Sequence, residues 1–243
     1  MEYFIIAGIG FLAFFLKGIT GTGVSTVIVA LSTFLIEPKL AVVLASFVNV
    51  FGGFSMLRVD PVPLPRRFWI TVAVTMFIGA IVGAITLKII DNEVFKVILG
   101  VAFILVSLQF FFRAGNGKDK ECLAPEFANL KDIVVGLFSG FCGGFIGINA
   151  PPLVLHFGSY LNKQYLRRLL VLIFIPAAIV QTLIFYGTGL LNPKIMIYGL
   201  AILPMMVLGI YLGNKAHHVV SERLFKQIIA VFLMIVSVKL IAF

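Results

Sequence analysis

The feature that most constrains this chain is a succession of long apolar stretches that leaves little residue for a polar exterior. Residues 40–57, 68–87 and 94–112 in the front of the chain are each long enough for a helix to cross a hydrocarbon core, which takes roughly 20 residues. Residues 166–187, 195–214 and 224–242 fit the same description in the back. Two more stretches, 3–36 and 133–162, are too long for one crossing and are broken by glycines. Over 243 residues, 61% are hydrophobic and 12% charged. A soluble domain of this size cannot hide so much apolar surface. The chain therefore reads as an all-α, multi-pass integral protein of a cell (plasma or inner) membrane, with the lipid bilayer as its surroundings. Soluble enzymes, disordered chains and secreted disulfide scaffolds are excluded.

The formal charge of +9 does not point to nucleic acid, because the Lys and Arg residues are scattered between the apolar runs as topology signals are. Cys122 and Cys142 have no ligand spacing, so neither a disulfide framework nor a metal site is expected. No cofactor is expected. Met1-Glu2-Tyr3 lacks a basic leader region, so the first apolar run is read as retained structure.

The two breaks look alike. The first is Gly18-Ile19-Thr20-Gly21-Thr22-Gly23, and the second runs from Gly143-Gly144 through Gly147 and Asn149 to Pro151-Pro152. A shift of 126 places Gly10 on Gly136, Gly18 on Gly144 and Gly21 on Gly147. A shift of 130 places Gly79 and Gly83 on Gly209 and Gly213, and Val106-Ser107 on Val236-Ser237. Matching order at both ends implies a duplication. It divides the chain into a first membrane repeat (1–112), a polar linker (113–131) and a second membrane repeat (132–243). Internal repeats in an apolar chain are the mark of secondary transporters.

Charge decides how the breaks are threaded. If each broken segment crosses once, the basic residues divide nine against nine, which is no bias at all. If each returns to its starting side, Arg58, Arg66, Arg67, Arg113, Lys118, Lys120, Lys131, Lys163, Arg167, Arg168, Lys215, Arg223 and Lys226 fall together. That is thirteen against five, with Lys17 inside the first break, and the positive-inside rule prefers it. The expectation is two inverted repeats of five helical elements, each opening with a glycine-broken pair of short helices. Both termini then lie outside and the linker is cytoplasmic.

The breaks also carry the chemistry. Irregular backbone at membrane depth is tolerated only where protein or a wet cavity covers it. A helix restarting near Val24 and another near Ala150 aim free N–H groups and a positive dipole end into the break, an anion site without a charged side chain. With inverted repeats, the two breaks approach a common midplane site. Lys17 either faces an anion or water there, or snorkels to an interface. Thr20, Gly21, Thr22, Gly23 and Ser25 complete the first break, with Ser25 either capping the helix or donating to a ligand.

Gly147, Ile148, Asn149 and Ala150 form the second. Asn149 either donates to the anion or supplies a left-handed backbone turn, while Pro151-Pro152 removes donors. Asn49, His156 and Gln181 line a cavity or make helix–helix hydrogen bonds. His156 is read as packed in preference to a proton relay. The two GxxxG pairs allow close helix packing. Asp132 and the other carboxylates fall outside the spans, which favours an anion as cargo.

These residues resemble the sulfite exporter TauE/SafE family of membrane permeases. Gly18-Ile19-Thr20-Gly21-Thr22-Gly23-Val24-Ser25 and Gly144-Phe145-Ile146-Gly147-Ile148-Asn149-Ala150-Pro151 are similar to its glycine-rich repeat openings. Leu57-Arg58 to Arg66-Arg67-Phe68-Trp69 is similar to its first cytoplasmic loop. The chain departs from the pattern in having fewer consecutive glycines, Lys17 and Asn149. The resemblance implies transport of a small sulfur-containing anion such as sulfite or an organosulfonate. A passive anion channel and a cargo-free membrane assembly protein are the rival readings. An intramembrane enzyme is disfavoured because no nucleophile–base pair is visible.

Overall fold

The computed structural model of the chain describes residues 2–20, 23–54, 62–112, 124–216 and 222–242, with the side chains at 20, 110, 112, 163 and 222–226 outside that description. The described residues form ten helices and no strand. They are α1 (Glu2–Thr20), α2 (Val24–Ser32), α3 (Pro38–Phe54), α4 (Arg66–Ile89) and α5 (Asn92–Phe112), then α6 (Leu130–Ile146), α7 (Ala150–Phe157), α8 (Lys163–Gly187), α9 (Pro193–Ala216) and α10 (Glu222–Ala242). Five precede the polar linker and five follow it. Each expected apolar stretch is a helix, and each broken stretch is a long helix followed by a short one. Helices α4, α5, α8 and α9 start two or three residues before their apolar stretches, because polar end residues still make good helix ends.

Asn and Asp side chains set several starts. Asn129 and Asp132 form a reciprocal capping box on α6. Asn162 accepts from the Tyr165 N–H (2.9 Å) and Asn192 from the Ile195 N–H (3.0 Å). Asp91 accepts from the Glu93 N–H (2.8 Å), and the N–H groups of Glu93 and Val94 hold its carboxyl below the usual carboxylate range. Helices α8 and α9 continue through Pro176 and Pro204.

Among the described residues, five helices are long and apolar enough to cross a membrane, within α1, α4, α5, α8 and α9, and α3 and α10 hold shorter apolar helices. Their outward residues include Val82, Leu105, Val207 and Val238, each more than half exposed. In water such a surface would be a liability, and in a bilayer it is the lipid contact.

The chain forms two compact units, each drawing on both sequence halves. One comprises Met1–Val48, Ile89–Asn116 and Leu191–Phe243, the other Asn49–Lys88 and Gly117–Leu190. In the first unit α1 lies along α9. A methyl group on Gly209 would come 2.8 Å from the Phe11 carbonyl oxygen, and one on Gly213 would overlap the Phe15 carbonyl oxygen. In the second unit α6 lies along α4. A methyl group on Gly79 would overlap the Leu137 carbonyl oxygen, and one on Gly83 that of Phe141. The residue numbers rise together in both pairs, so each pair is parallel.

Leu137 and Phe141 stand 126 after Phe11 and Phe15, and Gly79 and Gly83 stand 130 before Gly209 and Gly213. The same glycine contact is thus made twice, at the residues the two shifts match. Helices α5 and α10 meet through the other matched pair. Ser107 donates to the Ala230 carbonyl (2.7 Å), and Gly100 lies against Ser237 and Ile241. Here the numbers run in opposite senses, so α5 and α10 are antiparallel.

Candidate functional site

Each break was built from glycines because its backbone needs a conformation that side chains resist. Gly23 has φ 93° and Gly147 has φ 74°, both left-handed. They do different jobs. Gly23 is the N-cap of α2, whereas Gly147 closes α6, its N–H donating to the Gly143 carbonyl (3.1 Å).

In the first unit, α2 has no side-chain cap, and the N-cap position that Ser25 was a candidate for belongs to Gly23. Ser25 is half-buried in the first turn. The Val27 N–H bonds back to the Gly23 carbonyl (3.2 Å), the first bond of the helix. A Cβ at Gly23 would meet nothing within 4 Å, so space lies beside this end. Lys17 is 8% exposed in the last turn of α1, where a cation suits the negative end of the helix. Its ammonium stands 5.6 Å from the centre of the Phe14 ring. Gly21 and Thr22 lie outside the described residues, as does the Thr20 side chain.

In the second unit, α7 also has no side-chain cap. Asn149 is its N-cap with φ −108°, so the left-handed alternative for Asn149 is not adopted, and Gly147 supplies that turn instead. Pro151 and Pro152 have no N–H, so of the first three helical residues only Ala150 has a donor. Ile148 is buried at 3% exposure. The Ser139 hydroxyl donates to the Asn149 carbonyl (2.5 Å), pinning the break to α6.

Two of the expected residues meet around one glycine. A Cβ on Gly143 would come 2.9 Å from Cβ of Asn149 and 3.0 Å from Nε2 of Gln181. The fold thus brings Asn149 and Gln181 together. Asn49 is half-buried on α3.

His156 makes a helix–helix hydrogen bond, one of the two readings it had. It sits near the end of α7, and its Nε2 lies 2.6 Å from Oδ1 of Asp132 in the first turn of α6. The Tyr160 hydroxyl donates to the same oxygen (2.9 Å), and the Asn129 N–H donates to Oδ2 (2.8 Å). Asp132 is wholly buried. The cluster clasps the end of α7 to the start of α6, so the α6–α7 pair is a hairpin that returns to its own base. Sequence reasoning missed Asp132, Tyr160 and Ser139. The Asn129-x-x-Asp132 capping spacing and the four-residue step from His156 to Tyr160 were the available signals.

Cys142 is half-buried on α6, and Cys122 lies outside the described residues, as do His217 and His218. Among the described residues no cluster of His, Cys, Asp and Glu could hold a metal ion.

A family model described as Sulfite exporter TauE/SafE matches residues 6–240. Searches of curated proteins and of solved structures return no match.

Proposed function

The chain belongs to the sulfite exporter TauE/SafE family, and from that premise we propose that it is a permease carrying a small sulfur oxyanion, such as sulfite or an organosulfonate, by alternating access. The family is one of membrane transporters for sulfite-type anions, not of enzymes. The observation that carries the anion reading is the start of α2, which no side chain caps. Its positive dipole end lies at a break, with a buried lysine in the last turn of the preceding helix. Lys17, Thr20, Gly21, Thr22, Gly23 and Ser25 hold the anion at this break. Ile148, Asn149, Ala150 and the Gly147 turn serve at the other, and Asn49 and Gln181 line the path.

The repeats are inverted on this reading, and the direction of α5 and α10 supports it. Were each broken segment a single crossing, each half would cross four times and α5 and α10 would run the same way. They run oppositely, as three crossings per half require. The hairpin closure of α6–α7 at Asp132 supports the same threading. In the first unit, Glu2 accepts from Tyr198 (2.5 Å), so α1 starts where α9 starts. The five residues between α9 and α10 span at most about 18 Å, too little to cross a bilayer. The end of α10 is therefore on the side where α1 starts. Phe34, just after α2, stacks its ring under Lys239 near that end (4.0 Å), so α2 returns to the side α1 came from. With the positive-inside count, both termini lie outside.

The test is sulfite transport in proteoliposomes by Lys17→Ala and Lys17→Arg. Lys17→Ala is expected to fall by about tenfold, the worth of roughly 1.4 kcal/mol of lost charge-assisted contact, with partial recovery in Lys17→Arg. Wild-type rates in a well-folded Lys17→Ala protein would remove Lys17 from the site.

A further inference from the structure

We propose that the Asp132–His156–Tyr160 clasp is a proton-binding site that couples this carrier to a pH gradient. The coupling part rests on the permease reading above, while the proton site rests on geometry alone. Burying a carboxylate completely is costly unless counter-charge and donors compensate it. Asp132 has no exposed surface and takes three donors, from His156, Tyr160 and the Asn129 backbone. Only the imidazole among them can bring a positive charge.

Imidazole gains and loses a proton near neutral pH. An ionised carboxylate only accepts, so Nε2 of His156 keeps its hydrogen toward Asp132 in both states, and the exchanging proton sits on Nδ1. The side chain of His156 is 22% exposed and that of Asp132 is 0%, so the proton enters through the imidazole. With the proton bound, the pair is neutral overall. With it released to water, a buried negative charge remains, held only by neutral donors, and the clasp weakens.

The elements packed around the clasp carry other charges, most of them exposed, and the Lys163 side chain at the start of α8 lies outside the described residues. On α7 and the turn after it the titratable neighbour is Tyr160, and on α6 they are Asp132 and the exposed Lys131. The start of α4 bears exposed Arg66 and Arg67, with Arg67 over the Phe127 ring (5.3 Å). The first turns of α8 bear Tyr165, exposed Arg167 and half-buried Arg168, and Glu126 before α6 is exposed. Among the described residues, only His156 pairs with the buried carboxylate.

Coupling follows from the shortness of α7. Its eight residues run from the break at Ala150 to the clasp at His156 and Tyr160. An element of two turns fixed at one end by a proton-dependent bond and exposed to an anion at the other is biased by both ligands. The first hairpin has no such device. A shift of 126 puts Ile6, Ala30 and Phe34 where Asp132, His156 and Tyr160 stand.

The experiment compares wild type, His156→Gln and Tyr160→Phe in proteoliposomes, with two readouts of labelled sulfite. One is counterflow at equal pH, the other accumulation driven by a pH gradient. A third readout is the emission of Trp69, the single tryptophan, against pH; it packs on the core formed by Phe157 and Leu161. The expected result is a wild-type emission change with pH that His156→Gln abolishes. His156→Gln also lowers the ratio of driven accumulation to counterflow by about tenfold, while Tyr160→Phe, which removes a neutral donor and keeps the imidazole, lowers it less. Wild-type counterflow without any gradient-driven accumulation overturns the proposal, and needs no variant to fold. Gradient-driven accumulation that survives in His156→Gln overturns it equally. Absence of sulfite counterflow with an intact emission change would instead sink the sulfite reading and the coupling while retaining the proton site.

Discussion

The two glycine-broken hairpins share a backbone plan and differ in where they keep their polarity. The α1–α2 hairpin concentrates it at the break, with a buried lysine and a helix start that no side chain caps, and its counterpart positions to the clasp are Ile6, Ala30 and Phe34. The α6–α7 hairpin does the reverse. Two prolines strip donors from its break, and its ionisable groups lie at its base. An anion gains most from donors and positive charge converging at one point, and a proton gains most from a buried carboxylate with an imidazole beside it. On the two proposals above, the difference divides two ligands between two copies of one motif.

The largest expected effect tests what the copies share. Gly83→Leu places a side chain against the Phe141 carbonyl oxygen, and Gly213→Leu one against that of Phe15. Neither obstacle is a flexible side chain, so each variant is expected to lose more than about 3 kcal/mol and to fail in membrane extraction as a folded species. If size-exclusion profiles showed Gly213→Leu intact and Gly83→Leu aggregated, the two contacts would not be equivalent.

Next in size is Asp132→Ala, which leaves the His156 and Tyr160 donors without their acceptor. It is expected to cost about 2–3 kcal/mol, read as a drop in melting temperature in detergent. A smaller contrast separates the breaks. Lys17→Ala removes a charge and should weaken sulfite transport about tenfold, whereas Asn149→Ala removes a neutral donor and should weaken it about threefold. Equal losses in the two would erase the distinction between the hairpins. The smallest effect is a gain. Pro151→Ala restores one backbone donor at the second break and should tighten sulfite binding about twofold in a binding titration.

Much of this was legible in the sequence because apolar length and glycine are strong signals in a membrane chain. The ten helices follow from where charge and glycine interrupt hydrophobic runs, and Gly79, Gly83, Gly209 and Gly213 announced the close contacts they make. What pairs with what was less visible. The glycine pairs bind helices from opposite halves, α9 with α1 and α4 with α6, and nothing in a linear pattern specifies a partner so distant in sequence. Asp132 does lie outside the candidate spans as read, but its burial was not legible, because a carboxylate bordering an apolar run carries no sign of what folds back over it. Its capping of α6 and the return of α7 bury it. The same return makes His156 the hydrogen-bond partner of that carboxylate. Asn149 escaped its left-handed reading because Gly147, two residues earlier, already makes the turn.

The central claim is that this chain carries a sulfur oxyanion, and counterflow tests it most directly. Proteoliposomes loaded with unlabelled sulfite would be offered labelled sulfite outside, with sulfate, sulfoacetate, thiosulfate and an amino acid as competitors. The account predicts saturable uptake against the label's gradient, blocked by a sulfur oxyanion and untouched by the amino acid. Non-saturable flux without counterflow would mean a channel, and no flux of any anion through folded protein would contradict the account outright.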